Sequence, residues 1–204
     1  MTETVSGAYD AVADLYADLF RDALDELHLD RAMITAFASM VPAGPVADLG
    51  CGPGRGPALL HRLGLDAFGL DLSPAMIARA RADHPHLRFD EGDITALDLP
   101  DGGLAGVLSW YSTIHLGPAE LPRAFAEFHR VLAPGGLVLL GFQSTDEDEA
   151  ESFDHKVALA YRRPVDDMAE LAVQAGLVEV ARLLRRPADN ERPVPAGCLL
   201  ARKP

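Results

Sequence analysis

The sequence predicts an α/β protein with a doubly wound, seven-stranded, mostly parallel sheet, an antiparallel last strand and an N-terminal helical cap. From Val46 onward, short apolar segments alternate with amphipathic helical segments, as in parallel strands joined by helical crossovers. Before Val46 the apolar residues recur only at the three- and four-residue spacing of helices. A chain of 204 residues predicts one domain with a sizeable core.

The N-terminal part is predicted to form one amphipathic helix from Ser6 to Leu27, followed by a second helix with Asp30 as its N-cap. The predicted strands are 46–49, 67–71, 87–89, 104–110, 137–142, 177–184 and 197–202. The helices between them are predicted at 57–63, from Ser73-Pro74 onward, at 120–132 and at 164–175. Residues 143–163 show no periodicity, and we expect an irregular loop that is long enough to act as a lid.

The charge distribution restricts the partners. The net charge is −13, and nine acidic but only two basic residues precede Arg55. Such a surface repels phosphate backbones and anionic membranes, so we expect no nucleic-acid or membrane partner. Two cysteines, Cys51 and Cys198, make no disulfide framework. With no signal-peptide pattern at the N-terminus, the sequence predicts a cytoplasmic protein, either monomer or homodimer.

The most informative segment is the glycine-rich run from Asp48 to Gly56, which lies between a predicted strand and a predicted helix. Glycine adopts positive φ freely and allows a ligand to approach the backbone, so the run predicts a binding loop at the sheet edge. The G-x-G-x-x-G fingerprint of dinucleotide sites fails at Arg55 and again at Pro57, and no phosphate-binding P-loop is present.

The spacing D-x-G-x-G-x-G resembles the first motif of the class I S-adenosylmethionine-dependent methyltransferases. The chain resembles their small-molecule group (methyltransferase domain 11/25-like) from about Ser6 to its end. The resemblance implies a Rossmann-like fold in a single methyltransferase domain over 1–204. It implies a helical cap in 1–45, a cofactor-binding core in 46–204, and S-adenosyl-L-methionine as cofactor, with S-adenosyl-L-homocysteine as product. It also implies in-line methyl transfer to an oxygen, nitrogen or carbon of a small molecule. A nicotinamide-dependent oxidoreductase and a non-catalytic cofactor-binding regulator remain as alternatives.

The resemblance also implies cofactor contacts. Asp48 approaches the amino group, Asp71 accepts hydrogen bonds from the ribose, and Asp93 accepts one from the adenine amine. Alternatively, Asp71 merely flanks a helix and Asp93 a turn. The full implied set is Tyr9, Tyr16, Asp48, Leu49, Gly50, Cys51, Gly52, Gly54, Arg55, Asp71, Leu72, Met76, Gly92, Asp93, Ile94, Ser109 and Trp110. Within it, Arg55 is expected to pair with the cofactor carboxylate.

The predicted catalytic residues follow the fourth strand. His115 is a candidate base or substrate contact, and Tyr111 is a candidate wall of the methyl site; both are alternatively packing residues. The segment Ser109-Trp110-Tyr111-Ser112 lacks the paired prolines of the family's amino-directed members, so nucleic-acid and protein-glutamine substrates are disfavoured. No cluster of residues with metal-ligand spacing is found, and no metal is expected.

Overall fold

The computed structural model describes residues 2–20, 27–187 and 194–204. The helices in these ranges are α1 (Thr2–Asp10), α2 (Ala13–Leu19), α3 (His28–Met40), α4 (Arg55–Arg62), α5 (Pro74–Asp83), α6 (Leu121–Val131) and α7 (Val165–Gln174). The strands are β1 (Pro45–Leu49), β2 (Asp66–Asp71), β3 (Arg88–Glu91), β4 (Leu104–Trp110), β5 (Leu132–Gln143), β6 (Glu151–Asp154), β7 (Leu159–Arg162), β8 (Val178–Arg185) and β9 (Ala196–Arg202). Within these ranges, no helix has the length and apolar character needed to cross a membrane.

The main sheet of the described chain has seven strands in the order β3-β2-β1-β4-β5-β9-β8. Every neighbouring pair from β3 to β5 is parallel, and β9 runs antiparallel to both β5 and β8. The predicted mostly parallel sheet with an antiparallel last strand is therefore confirmed. The strand order reverses between β1 and β4, and open α/β sheets form a ligand crevice at the carboxyl ends of the strands on either side of such a point.

Helices cover both faces of the sheet because its central strands are apolar on both sides. One face packs against α6 and α7 through a cluster that includes Phe125, Phe128 and Met168. The other face packs against α3 and α4 through Phe37 and Leu59. The doubly wound arrangement follows from this two-sided burial.

Two predictions for the N-terminal part are wrong. The helix predicted from Ser6 to Leu27 is broken after Asp10, because Val12 has φ −121° and ψ 7°, and part of that prediction (21–26) lies outside the described residues. Asp30 is not an N-cap. It lies in the first turn of α3, fully buried, and accepts a 2.8 Å hydrogen bond from Nε of Arg185 on β8. Asp30 is buried because it pairs with Arg185, which lies 155 residues away in the sequence. Local sequence carries no signal for a pairing over this separation.

The irregular loop predicted at 143–163 is also wrong in part, because its second half forms the antiparallel hairpin β6–β7. The hairpin is tied to the sheet where the Arg163 N–H donates to the Gln143 carbonyl at 3.1 Å and the Ser144 hydroxyl donates to the Arg163 carbonyl at 2.9 Å. Only Ala160 of the two strands is buried, so the hairpin lacks the alternation that marks a strand in sequence.

The antiparallel addition of β9 depends on Gly197, which lies opposite Phe142 of β5. A Cβ atom at Gly197 would lie 2.4 Å from the buried Phe142 ring. We expect Gly197→Ala to lower the free energy of unfolding by about 1–3 kcal/mol through overpacking, measured by urea denaturation. The matched control is Gly7→Ala in α1, where nothing lies within 4 Å and a gain of roughly 0.5–1 kcal/mol is expected. Equal stability of the two variants would contradict this packing argument.

Candidate active site

A cavity of about 990 Å³ runs along the carboxyl edge of β1 to β5, beneath α1 and α2. This volume lies at the upper end of the ~300–1,000 Å³ that small-molecule sites occupy. The cavity wall contains most of the residues predicted from sequence: Tyr9, Tyr16, Asp48, Gly50, Cys51, Gly52, Arg55, Asp71, Leu72, Met76, Gly92, Asp93, Ile94, Trp110, Tyr111 and His115.

Three predicted residues lie behind the wall. Leu49 is fully buried in the core beneath the glycine loop. A Cβ atom at Gly54 would lie 2.8 Å from the Phe89 ring, so Gly54 packs against β3. Ser109 is also fully buried, and its hydroxyl lies 2.6 Å from that of Ser112. These residues support the loop and do not reach the cavity.

The glycine loop is anchored to the end of β2. The N–H groups of Gly50 and Cys51 both donate to the Leu70 carbonyl, at 2.7 and 2.9 Å. Gly50 has φ +80°, and a Cβ atom there would lie 2.2 Å from Cβ of Ser112. The loop therefore requires glycine for both its backbone angle and its closeness to the segment after β4.

Asp48, the fourth residue of β1, contributes a buried carboxylate to the cavity wall. Its Oδ1 atom has no hydrogen-bond partner among the described residues. Burial, with the nearby charge of Asp71, raises the pKa of Asp48 to about 8, although Arg55 opposes the rise. An unpartnered buried acceptor of this kind fits a cationic donor in the cavity, such as an ammonium group.

Asp71 and Asp93 hold loop backbone and still face the cavity. The Asp71 carboxylate accepts from the N–H of Gly52 at 2.7 Å and from that of Ser73 at 2.9 Å. A carboxylate has about four lone-pair sites, so Asp71 retains capacity for two hydroxyl donors. Asp93 accepts from the Thr95 N–H and hydroxyl, both at 2.8 Å, which is the turn geometry that the sequence left as an alternative.

We call α1 and α2 the cap helices; polar bonds hold them over the cavity. The Asp10 carboxylate accepts from the Ser73 hydroxyl at 2.5 Å and from the Ala75 N–H at 3.1 Å. The guanidinium of Arg79 on α5 donates to Asp14 and to Asp18, each at 3.0 Å. Sequence reasoning did not assign these carboxylates a role. Their spacing on α1 and α2 was visible, but their basic partner lies on another helix.

Tyr9 of α1 and His115 are directly bonded, with 2.8 Å between Oη and Nε2. His115 Nδ1 lies 2.8 Å from the Leu159 carbonyl, which can only accept. Nδ1 therefore carries the proton, and Nε2 accepts the Tyr9 hydroxyl. Burial lowers the pKa of His115 and, with Tyr16 and Asp71 nearby, raises the pKa of Tyr9, so both groups are uncharged at neutral pH.

Arg55 connects the loop to the cap helices. Its guanidinium donates to the Phe20 carbonyl and lies over the rings of Tyr16 and Phe20, 5.5 and 5.7 Å from their centroids. The Tyr16 ring in turn meets the Tyr9 ring edge to face at 5.7 Å. The structure thus gives Arg55 a partner within the chain, in addition to the cofactor carboxylate expected from sequence.

Tyr111 adopts φ +58°, an uncommon angle for a residue with a side chain, and its N–H donates to the Gly141 carbonyl at 2.7 Å. Its hydroxyl lies 3.4 Å from the buried Asp30 carboxylate. Burial and the charge of Asp30 raise the pKa of Tyr111. The ring lines the cavity, as predicted for a wall residue, but the hydroxyl is directed to Asp30.

Sequence reasoning missed the residues of β5, the β6–β7 hairpin and β8 that line the cavity, among them Gln143, His155, Lys156 and Arg185. The His155 ring lies 5.3 Å from that of His115. Gln143, His155 and Lys156 lie in the segment 143–163, which the sequence marked as a possible lid without indicating a particular residue, and Arg185 lies beyond the motif. In the part of the chain that the structure describes, no group of three or more His, Cys, Asp or Glu is arranged to hold a metal ion.

The raised pKa of Asp48 predicts a pH-dependent stability. Between about 3.9, the ordinary value, and about 8, the folded chain keeps a proton that the unfolded chain releases. The free energy of unfolding therefore falls as pH rises through this window. We expect Asp48→Asn to flatten that slope by up to about 1.4 kcal/mol per pH unit, measured by urea denaturation at several pH values. The control, Asp66→Asn at an exposed position, should keep the wild-type slope. If the pH dependence of the free energy of unfolding is unchanged in Asp48→Asn, Asp48 does not have a raised pKa in the folded chain.

We compared the sequence and the fold with those of known proteins. A family profile described as a methyltransferase domain matches residues 46–136. Malonyl-[acyl-carrier protein] O-methyltransferase from Serratia marcescens is 31% identical over 134 residues, which are 66% of this chain and 48% of that protein. The chain spans about half the length of the curated relatives it matches.

Two solved structures share the fold. An S-adenosylmethionine-dependent methyltransferase from Mesorhizobium loti superposes with a TM-score of 0.72 at 22% identity, covering 88% of this chain and 100% of that one. The 1,6-didemethyltoxoflavin-N1-methyltransferase of Burkholderia thailandensis, solved with 1,6-didemethyltoxoflavin and S-adenosylhomocysteine, gives 0.68 at 20% identity, covering 97% and 90%. The profile match identifies residues 46–136, which carry the D-x-G-x-G-x-G loop on the cavity wall, as a methyltransferase domain, in agreement with the resemblance to the class I S-adenosylmethionine-dependent methyltransferases. The two solved structures show that the fold is the one these enzymes use.

Proposed function

We propose that this chain transfers the methyl group of S-adenosylmethionine to a small molecule that binds in the same cavity, in the cytoplasm and without a metal or a nucleic-acid partner. The observation that carries the proposal is the layout of the cavity. The glycine loop and the unpartnered Asp48 oxygen lie at the β1–β3 end. The Tyr9–His115 pair and the ends of β4 and β5 lie beyond β1, where a second molecule fits.

At the β1–β3 end, the chain's own groups match the parts of the cofactor. Asp48 Oδ1 would accept from the ammonium group, and the lone pairs of Asp71 that do not bind Gly52 and Ser73 would accept from the ribose hydroxyls. Asp93 and the apolar Ile94 and Met76 are suited to an adenine ring. When bound, the cofactor supplies an activated methyl group on a sulfonium, so the protein contributes alignment and exclusion of water.

The Tyr9–His115 pair is suited to remove a proton from the acceptor. The lone pair of His115 Nε2 is already occupied by the Tyr9 hydroxyl, so the group that faces an acceptor is Tyr9 Oη. A proton that leaves the acceptor binds Tyr9 Oη while the Tyr9 proton moves to His115 Nε2. The imidazolium is held by Nδ1–H on the Leu159 carbonyl until it releases one proton to solvent.

We further propose that residues 1–45 act as a helical cap and 46–204 as the core of a single domain, with the β6–β7 hairpin as a lid. The cap helices bond to the segment that carries Asp71, through Ser6, Asp10 and the Arg79 ion pairs. Closure by these helices excludes water from the sulfonium. The buried free thiols of Cys51 and Cys198 are consistent with a reducing compartment.

Calorimetry separates this proposal from the oxidoreductase alternative. We expect S-adenosylmethionine and S-adenosylhomocysteine to bind and NAD not to bind. Asp71→Ala should weaken S-adenosylhomocysteine by about 1–3 kcal/mol, because two ribose hydroxyls lose their acceptor. The control, Asp90→Ala on the exposed edge strand β3, should retain affinity. Binding of NAD alone, or an unchanged affinity in Asp71→Ala, would contradict the assignment.

Turnover tests the proton path and separates an enzyme from a regulator. Methyl transfer is followed with a panel of phenols, amines and carboxylic acids. For acceptors that must lose a proton, we expect Tyr9→Phe and His115→Ala each to reduce kcat about 10²-fold or more. The double variant should be no worse than either, because both act on one proton. The control is Tyr161→Phe, whose ring lies over Arg163 and outside the cavity wall.

The pH profile provides a second readout. In the wild type, kcat should fall as pH decreases through the pKa of His115, which burial holds below its usual value of about 6.5. In Tyr9→Phe, the fall of kcat at low pH should disappear for acceptors that are already ionised. Additive losses in the double variant, or full activity of either single variant, would return the pair to a packing role.

A further inference from the structure

We use the term acceptor end for the part of the cavity at the ends of β4, β5 and β8, where the methyl acceptor would bind. We propose that this end binds a neutral, largely apolar molecule that offers one N–H or O–H donor to Oε1 of Gln143. This inference rests on the proposed function, because it names the class of molecule that the methyltransferase site accepts. It follows from three properties of the wall: one unpartnered acceptor, an apolar rim and charges that are already paired.

The unpartnered acceptor is Gln143, the last residue of β5. Gln143 pairs with Ala196 of β9, and Ala196 pairs with Arg185 of β8, so the three residues form one row across the sheet edge. All three line the cavity. Gln143 Oε1 is buried without a hydrogen-bond partner among the described residues. A buried amide oxygen in this state costs free energy unless a bound molecule supplies a donor.

The apolar rim is formed by Leu15 and Leu19, one helical turn apart on α2. They are 68% and 71% exposed, and both line the cavity. The ring of Trp110 also lines the cavity. It can lie against the sheet because residue 141 is glycine; a Cβ atom there would lie 2.7 Å from Trp110 Cε3. Large apolar side chains that remain exposed at the mouth of a cavity mark a surface that an apolar ligand covers.

The charges at this end are already paired. Arg185 and Asp30 form an ion pair with side chains 10% and 1% exposed, so the guanidinium brings its own counterion. Lys156, at the tip of the hairpin, binds Asp154 with 2.6 Å between Nζ and Oδ2. A charged acceptor near Arg185 would have to compete with the buried Asp30 while losing its own hydration, which is unfavourable. The side chains of Lys156 and Asp154 are 76% and 72% exposed, so this second pair contributes little to the selection.

The two acids near the rim are paired as well. Asp18 binds Arg79 of α5 at 3.0 Å, and Glu120 accepts from the Gly117 N–H at 3.0 Å. The remaining acids on the wall, Asp48, Asp71 and Asp93, belong to the β1–β3 end. Besides the Tyr9 hydroxyl, which is assigned above to proton removal, the acceptor end therefore offers a ligand apolar contact and the Gln143 amide oxygen.

A matched probe series tests the inference in the complex with S-adenosylhomocysteine: 1-naphthol, 1-methylnaphthalene, 1-naphthoate and 1-naphthylmethylamine, with affinities from calorimetry. We expect 1-naphthol to bind about tenfold or more tightly than either charged probe. We expect it to bind about two- to tenfold more tightly than 1-methylnaphthalene, the range that one neutral hydrogen bond gives. Gln143→Leu should abolish the second difference, and Gln143→Met serves if the leucine variant does not fold.

The control Gln174→Leu, at an exposed amide of α7 that donates to Glu170 and lies outside the cavity wall, should leave every affinity unchanged. Tighter binding of a charged probe overturns the inference, as does failure of 1-naphthol to bind or an unchanged preference for it in the Gln143 variant. These results leave the proposed function intact, because it is tested by cofactor binding and turnover. If S-adenosylhomocysteine itself does not bind, the proposed function fails and this inference fails with it.

Discussion

The bond of two successive N–H groups, those of Gly50 and Cys51, to the single Leu70 carbonyl determines where everything else in the site lies. It draws the loop after β1 onto the end of β2, and Asp71 follows directly with its carboxylate against the Gly52 N–H. The same loop passes so near Ser112 that residue 50 has no room for a side chain. Three strand ends are thus joined at one point, and the cavity opens beside it.

The polar side chains on the two sides of the glycine loop differ in their partners. On the β1–β3 side, carboxylates are buried or bonded to backbone and face the cavity. On the β4–β8 side, the charged side chains of the described residues form ion pairs, and aromatic and aliphatic surface lies beside the Gln143 amide. The Tyr9–His115 pair lies between the two sides and joins the cap helices to the core. One cavity therefore presents two different chemical environments.

The sheet, its direction and the glycine loop were predictable because each depends on local sequence. Strands buried on both faces are apolar runs, and D-x-G-x-G-x-G is read over seven residues. The errors come from long-range contacts. Asp30 looks like an N-cap until Arg185 is seen beside it, and the β6–β7 hairpin has one buried residue to reveal it. Asp10 and Arg79 were missed for the same reason, since their partners lie on other elements, and Gln143 Oε1 has no partner among the described residues.

Gly141 and Trp110 have a consequence for how this cavity can change. The indole occupies the space that a side chain at 141 would fill, so the volumes at the two positions are complementary. A smaller residue at 110 makes room for a side chain at 141. A side chain at 141 is sterically excluded while Trp110 is retained. Because both residues lie in register on neighbouring strands, such a paired exchange would reshape the acceptor chamber while leaving the backbone in place. The pair is a natural point from which to redesign substrate size.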